Sequence, residues 1–212
     1  MSSKKKYKET IETWGKVAKR YENRFMDDEL YIDTYKRFYD RISNLDGLIL
    51  EIGCGPGNIT RNMLQLNPNL NILATDVSAE MINLAKKNNP KARFKVFDCR
   101  KLEALKANYE AIICGFTMPY LSKTDCSKLL FNISNLLIED GTLYISFVAG
   151  NYIDSGYISD SHGNRMYFYF HELEAIHKEL ESNNLKVIEQ VKKYVEYAES
   201  TELHIILIVK KY

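Results

Sequence analysis

The 212-residue chain contains only four prolines, four cysteines and one tryptophan, and neither charge is in excess. Twenty-nine Lys and Arg stand against 28 Asp and Glu, a formal net charge of +1. That balance argues against a nucleic-acid partner held by a basic surface, because phosphate contacts supply most of such affinity; only a local patch stays open. No apolar run approaches the ~20 residues of a membrane span, so no membrane partner is expected. Residues 1–8 are basic and polar with no apolar stretch behind them, which reads as a frayed tail and not a secretion signal. Cys54, Cys99, Cys114 and Cys126 form no C-x-x-C pair and no zinc-ligand spacing. Free thiols in a reducing cytoplasm are therefore expected. His171-Glu172-Leu173-Glu174-Ala175 begins like a zinc-protease helix, but Ala175 stands where the second histidine is required, so no metal is expected.

What remains is ample for one α/β domain: 45% of the residues are hydrophobic, enough for a sizeable core. Ile11, Trp14, Val17, Ala18, Tyr21 and Phe25 recur at helical spacing over 9–26, and Leu30, Tyr35, Phe38 and Ile42 do so over 28–43. Both helices precede the first strand and form a cap over residues 1–44. From Gly47 onward strand and helix signals alternate. Strands are expected at 47–52, 70–75, 92–97, 109–114 and 141–148, with helices near 58–66, 78–88, 101–106 and 123–138. Such alternation implies a parallel sheet covered by helices on both faces. After a helix at 171–183, strands near 185–196 and 201–210 are separated only by about Ala198-Glu199-Ser200. A parallel crossover needs a dozen or more residues, so this last pair must be antiparallel.

The first strand ends in Leu50-Glu51-Ile52 and runs into Gly53-Cys54-Gly55-Pro56-Gly57, immediately before a helix. Glycines there let the chain turn sharply and let a ligand lie against the main chain. The dinucleotide fingerprint would need glycine at Asn58, and the P-loop would need G-K-[ST]; neither is present. The acidic-x-Gly-x-Gly-x-Gly pattern, with the terminal hairpin, resembles class I S-adenosylmethionine (SAM)-dependent methyltransferases. The resemblance covers about residues 45–212. It implies a three-layer α-β-α sandwich with a seven-stranded, mostly parallel sheet of order 3-2-1-4-5-7-6, the last strand antiparallel. It also implies SAM as cofactor and S-adenosylhomocysteine as product.

On that resemblance Glu51, Gly53, Cys54, Gly55 and Gly57 form the donor loop. Asp76, after the second strand, meets the ribose, and Val77 and Met81 wall the adenine. Asp98 accepts from the adenine amino group beside the backbone of Cys99, and Cys114 and Phe116 border the methionine half. Tyr21, on the N-terminal lid, is expected over the donor, although its helical spacing also reads as core packing. The resemblance makes the acceptor a small molecule. Tyr31, Tyr120, Tyr157, His162 and Tyr167 are candidate acceptor contacts, and Tyr169 and His171 candidate catalytic groups. The same aromatic stretch reads equally well as a packed edge. Thr117-Met118-Pro119-Tyr120 departs from the [Asn/Asp]-Pro-Pro-aromatic segment of nucleobase amino-methyltransferases, which weakens a nucleic-acid acceptor. A SAM-binding module without transferase activity and a nucleotide-dependent oxidoreductase remain as alternatives.

Overall fold

The computed structural model describes residues 3–160, 162–197 and 200–212. Seven strands form one sheet: β1 (Leu48–Ile52), β2 (Asn71–Asp76), β3 (Arg93–Val96), β4 (Tyr109–Gly115), β5 (Leu137–Ala149), β8 (Leu185–Glu196) and β9 (Thr201–Lys211). Their order is β3-β2-β1-β4-β5-β9-β8, and β9 runs antiparallel to both neighbours while the other adjacent pairs are parallel. Two further short strands, β6 (Gly156–Ser159) and β7 (Arg165–Phe168), form a separate hairpin. Without that hairpin the order reads 3-2-1-4-5-7-6, as expected.

The central strands are covered on both faces, so they are continuous apolar runs and not alternating ones. Ile205 through Val209 in β9 are all fully buried. On one face α5 (Lys123–Leu136) and α6 (Leu173–Ser182) bring Leu129, Leu130, Ile133, Ile176 and Leu180 against Leu50, Ile112, Phe147 and Leu207. On the other, α2 (Ile32–Tyr39), α3 (Asn58–Leu66) and α4 (Ala79–Asn88) bring Tyr35, Phe38, Met63, Ile82 and Ala85 against Ile49, Ile113, Tyr144 and Ile208. The two sheet edges differ from this pattern. In β8 exposed and partly covered residues alternate, and Lys186, Lys192 and Glu196 point outward, which discourages pairing with another chain.

Several boundaries depart from the sequence reading. Residues 3–8 are not frayed: α1 spans Ser3–Phe25, and Tyr7 is buried. The second helix is confined to Ile32–Tyr39 and packs within the helical layer, since Tyr35 and Phe38 lie against Tyr144. The helix expected at 101–106 is a 3-10 turn over Cys99–Ala104, started by Asp98 accepting from the Arg100 amide. Of the turn placed at Ala198-Glu199-Ser200, Ala198 and Glu199 lie outside the described residues. The β6–β7 hairpin was not foreseen. It forms because α1 supplies polar partners: Thr13 Oγ1 donates to the Arg165 carbonyl at 2.6 Å, and the Tyr167 amide donates to Thr10 Oγ1 at 3.0 Å. No helix among the described residues is long and apolar enough to cross a membrane.

Two phenylalanines test this layering. Phe147 is fully enclosed in the sheet, whereas Phe131 is 56% exposed on α5. Phe147→Ala is expected to destabilise by about 3–5 kcal/mol and Phe131→Ala by about 0.5 kcal/mol or less, read as denaturant midpoints.

Candidate functional site

The carboxyl ends of β1, β2 and β4 converge on the glycine loop. Gly53 has φ +68°, and a Cβ there would overlap Thr117 Oγ1, which donates to the Ile52 carbonyl at 3.0 Å. Gly57 has φ +86°, and a Cβ would stand 2.5 Å from Asn89 Nδ2, which donates to the Gly57 carbonyl. Both positions therefore exclude other residues, by conformation and by space. Asp76 fixes the loop from β2: its carboxylate accepts from the Gly55 amide at 2.9 Å and the Ser78 amide at 2.8 Å. Burial raises the Asp76 pKa, and these amide donors work against that rise.

A cleft opens above the loop. Its floor is Gly53, Gly55, Asp76 and Val77; Met81, Phe97 and Cys99 close one end, and Gly115, Phe116, Thr117 and Tyr120 the other. The roof is α1, which presents Tyr7, Thr10, Ile11, Trp14 and Tyr21, one helical stripe. Trp14 meets both Tyr21 and Tyr120 edge to face, at 5.1 and 5.2 Å between ring centres. Tyr21, Gly53, Gly55, Gly115 and Phe116 also border a second, adjoining cleft that reaches Phe25, Asp28, Tyr31 and Asn58.

Beneath the loop lies Glu51, 1% exposed. Thr60 Oγ1 donates to Glu51 Oε2, while Oε1 is buried with no hydrogen-bond partner. Burial pushes the Glu51 pKa up to about 8, against the Thr60 hydrogen bond. A glycine floor and an acid on the neighbouring strand together suit a ligand bearing hydroxyls.

Comparison with known proteins agrees with this geometry. Residues 49–141 match a methyltransferase domain family. The chain is 35% identical over 135 residues to a tRNA N(3)-methylcytidine methyltransferase of Schizosaccharomyces pombe, covering 61% of this chain and 54% of that protein. It is 32% identical over 117 residues to a malonyl-[acyl-carrier protein] O-methyltransferase of Bacillus anthracis, covering 54% and 42%. The chain thus spans about half the length of the curated relatives it matches. Among solved structures, a Burkholderia thailandensis 1,6-didemethyltoxoflavin-N1-methyltransferase, in a structure with S-adenosylhomocysteine, superimposes with a TM-score of 0.74 at 14% identity, covering 100% of this chain and 91% of that one. A SAM-dependent methyltransferase of Clostridium acetobutylicum gives 0.70 at 20% identity, over 92% and 98%. The fold is that of the class I SAM-dependent methyltransferases, and residues 49–141 match a methyltransferase domain.

Within this methyltransferase fold the expected residues separate into two groups. Gly53, Gly55, Asp76, Val77, Met81, Cys99, Phe116, Tyr21 and Tyr120 line the main cleft, and Cys54 and Tyr31 the adjoining one. Gly57 serves the turn into α3, and the Cys114 side chain lies in the core. Asp98 is not among the residues that line the main cleft. Its carboxylate is enclosed by Arg100, at 2.7 Å from Nη2, and by the Tyr7 hydroxyl at 3.0 Å, so the floor there is formed by Phe97 and Cys99.

The candidates beyond β5 do not reach the cleft. His171 is 2% exposed, and its Nε2–H donates to the Met118 carbonyl at 2.9 Å. Burial lowers its pKa, against the hydrogen bond to the Met118 carbonyl. Tyr169 is buried behind Pro119, whose carbonyl accepts from the Tyr169 amide, and its ring stacks on Tyr152. Tyr157 donates to Glu9 on α1, Tyr167 donates to the Ser155 carbonyl, and His162 contacts Arg20. These residues seat the hairpin on the roof helix. Sequence reasoning missed Tyr7, Thr10, Trp14 and Thr117 as cleft residues; the helical stripe through Trp14 and Tyr21 was the available signal.

Glu51 makes stability depend on pH in a direction that can be derived. An unfolded glutamate loses its proton near pH 4.5, whereas the folded one keeps it to about pH 8. Between these values the native state holds more protons, so raising the pH favours unfolding. Thermal melts are expected to show Tm falling over this window, and Glu51→Gln is expected to flatten that component of the curve.

Proposed function

We propose that the chain transfers a methyl group from SAM to a small-molecule acceptor. The observation that carries this reading is the single cleft joining the glycine floor and Asp76 to Phe116, Trp14 and Tyr120 under a helical roof. Bound there, SAM would supply an electrophilic methyl on a sulfonium. Asp76 has acceptor capacity left for ribose hydroxyls, while Val77, Met81 and Phe97 offer flat apolar contact. Tyr21 and Trp14 exclude water and present ring faces suited to a cation, an attraction of ~0.5–2 kcal/mol. Alignment and dehydration alone can contribute on the order of 7–11 kcal/mol to such a displacement.

The small-molecule acceptor is favoured by the roof. Trp14, Tyr21 and Tyr120 close over Phe116 and leave a narrow, aromatic-lined space. The relatives named above include enzymes named for tRNA and for an acyl-carrier protein, so the acceptor class has to be tested directly.

Calorimetry with S-adenosylhomocysteine is expected to show saturable binding to the wild type. Asp76→Ala should weaken it by about 10–150-fold, the loss of a hydrogen bond to a charged group. Incubation with methyl-labelled SAM should place label in the low-molecular-weight fraction of a metabolite extract. Label in added total tRNA would overturn the acceptor class, and no heat with S-adenosylhomocysteine would overturn the reading as a whole.

A further inference from the structure

Three side chains from distant parts of the chain meet beyond Phe116. The Tyr31 hydroxyl lies 2.5 Å from His204 Nδ1, and His204 Nε2 lies 2.9 Å from Glu202 Oε2. Tyr31 stands just before α2, and Glu202 and His204 lie on β9, where His204 pairs with Val148 at the carboxyl end of β5. His204 is buried, and Tyr31 lines the cleft that adjoins the glycine loop. Phe116, held at φ +48°, sets its ring 5.1 Å from both Tyr31 and His204. A bulky residue in that backbone region is strained, and here the strain points the ring at the Tyr31–His204 pair.

The chemistry of the chain of contacts has one direction. A carboxylate facing Nε2 selects the tautomer with its proton there, which leaves the Nδ1 lone pair to accept from the Tyr31 hydroxyl. Burial holds the Tyr31 phenol well above its ordinary value, so alone it keeps its proton. The remaining charges nearby are Asp28, facing Tyr31, and Lys193, opposite His204 in the β8–β9 ladder and paired with Asp33 at 2.8 Å. Tyr197 also faces this group.

We propose that Tyr31, His204 and Glu202 form a proton relay that accepts the proton of an aromatic hydroxyl acceptor as that oxygen is methylated. This rests on the methyl-transfer reading above. The acceptor oxygen gives its proton to Tyr31 Oη as the Tyr31 proton passes to His204 Nδ1; the oxygen forms a bond to the methyl carbon, and the departing sulfur keeps the electron pair of the broken bond. His204 becomes an imidazolium beside Glu202, so one positive charge is lost at sulfur and one gained at the ring. An amine can attack with its lone pair and shed a proton afterwards, whereas a neutral hydroxyl benefits from losing its proton as it attacks. The cleft rings of Phe25, Tyr31 and Phe116 suit a planar acceptor.

Catechol is the probe, with SAM as donor and S-adenosylhomocysteine calorimetry as the activity-independent readout. Tyr31→Phe and His204→Gln are expected to bind S-adenosylhomocysteine as the wild type does and to lose about 10²–10⁴-fold in kcat on catechol. The variants should approach the wild type at high pH, where catechol ionises unaided. Thermal melts identify a variant that merely misfolds, and Tyr31→Phe, which removes one oxygen, is the decisive one. A wild type that binds S-adenosylhomocysteine but leaves catechol unmethylated, or a Tyr31→Phe protein within threefold of it with the same pH profile, overturns the relay. Absence of S-adenosylhomocysteine binding would instead overturn the methyl-transfer reading beneath it.

Discussion

The site depends on the contact between Gly53 and Thr117. The threonine hydroxyl is bonded to the Ile52 carbonyl, the last residue of β1, and so occupies the space a side chain at 53 would need. That bond ties the end of β1 to the segment after β4. It fixes where the chain turns over the sheet and leaves the turn bare on its outer side. The Asp76 carboxylate completes the arrangement from β2 by accepting from the Gly55 amide. Three adjacent strand ends are thereby held in one frame before any ligand arrives, the preorganisation that binding and transfer both exploit.

What the sequence makes legible follows the strength of the local physics. Helix α3 is found at 58–66 and β8 at 185–196, both as read. The first is set by glycines that cannot be elsewhere, and the second by alternating exposed and covered residues on a sheet edge. Buried strands such as β4 and β9 announce themselves as apolar runs. Their ends were off by a residue or so, because hydrogen bonding and not composition decides where a ladder stops. The antiparallel pairing of the last two strands followed from counting the residues between them, whereas the full strand order came only with the resemblance.

Side-chain partnerships across the fold were not legible. Asp98 sits at the expected strand end, yet Arg100, two residues on, and Tyr7, ninety-one residues back, take its oxygens. His171 and the Tyr167–Phe170 run carry reactive-looking groups, but the pairing of β7 with its hairpin and of Thr10 with Tyr167 turns them toward α1 and the core. His204, an unremarkable strand residue by its neighbours in sequence, is the imidazole that meets a tyrosine 173 positions away. Nothing in local periodicity encodes such meetings; they exist only once the topology has closed.

Helix α1 is bound to the body at both extremities of the cleft it covers. Tyr7 is bonded to Asp98 at one end, Tyr21 rests over Gly55 at the other, and Thr10 and Thr13 hold the β6–β7 hairpin along the outer side. Entry and departure of anything lodged beneath it therefore require several small bonds to release together, with the hairpin carried along. Such a doorway sets a tempo of its own, in the microsecond-to-millisecond span typical of covering segments.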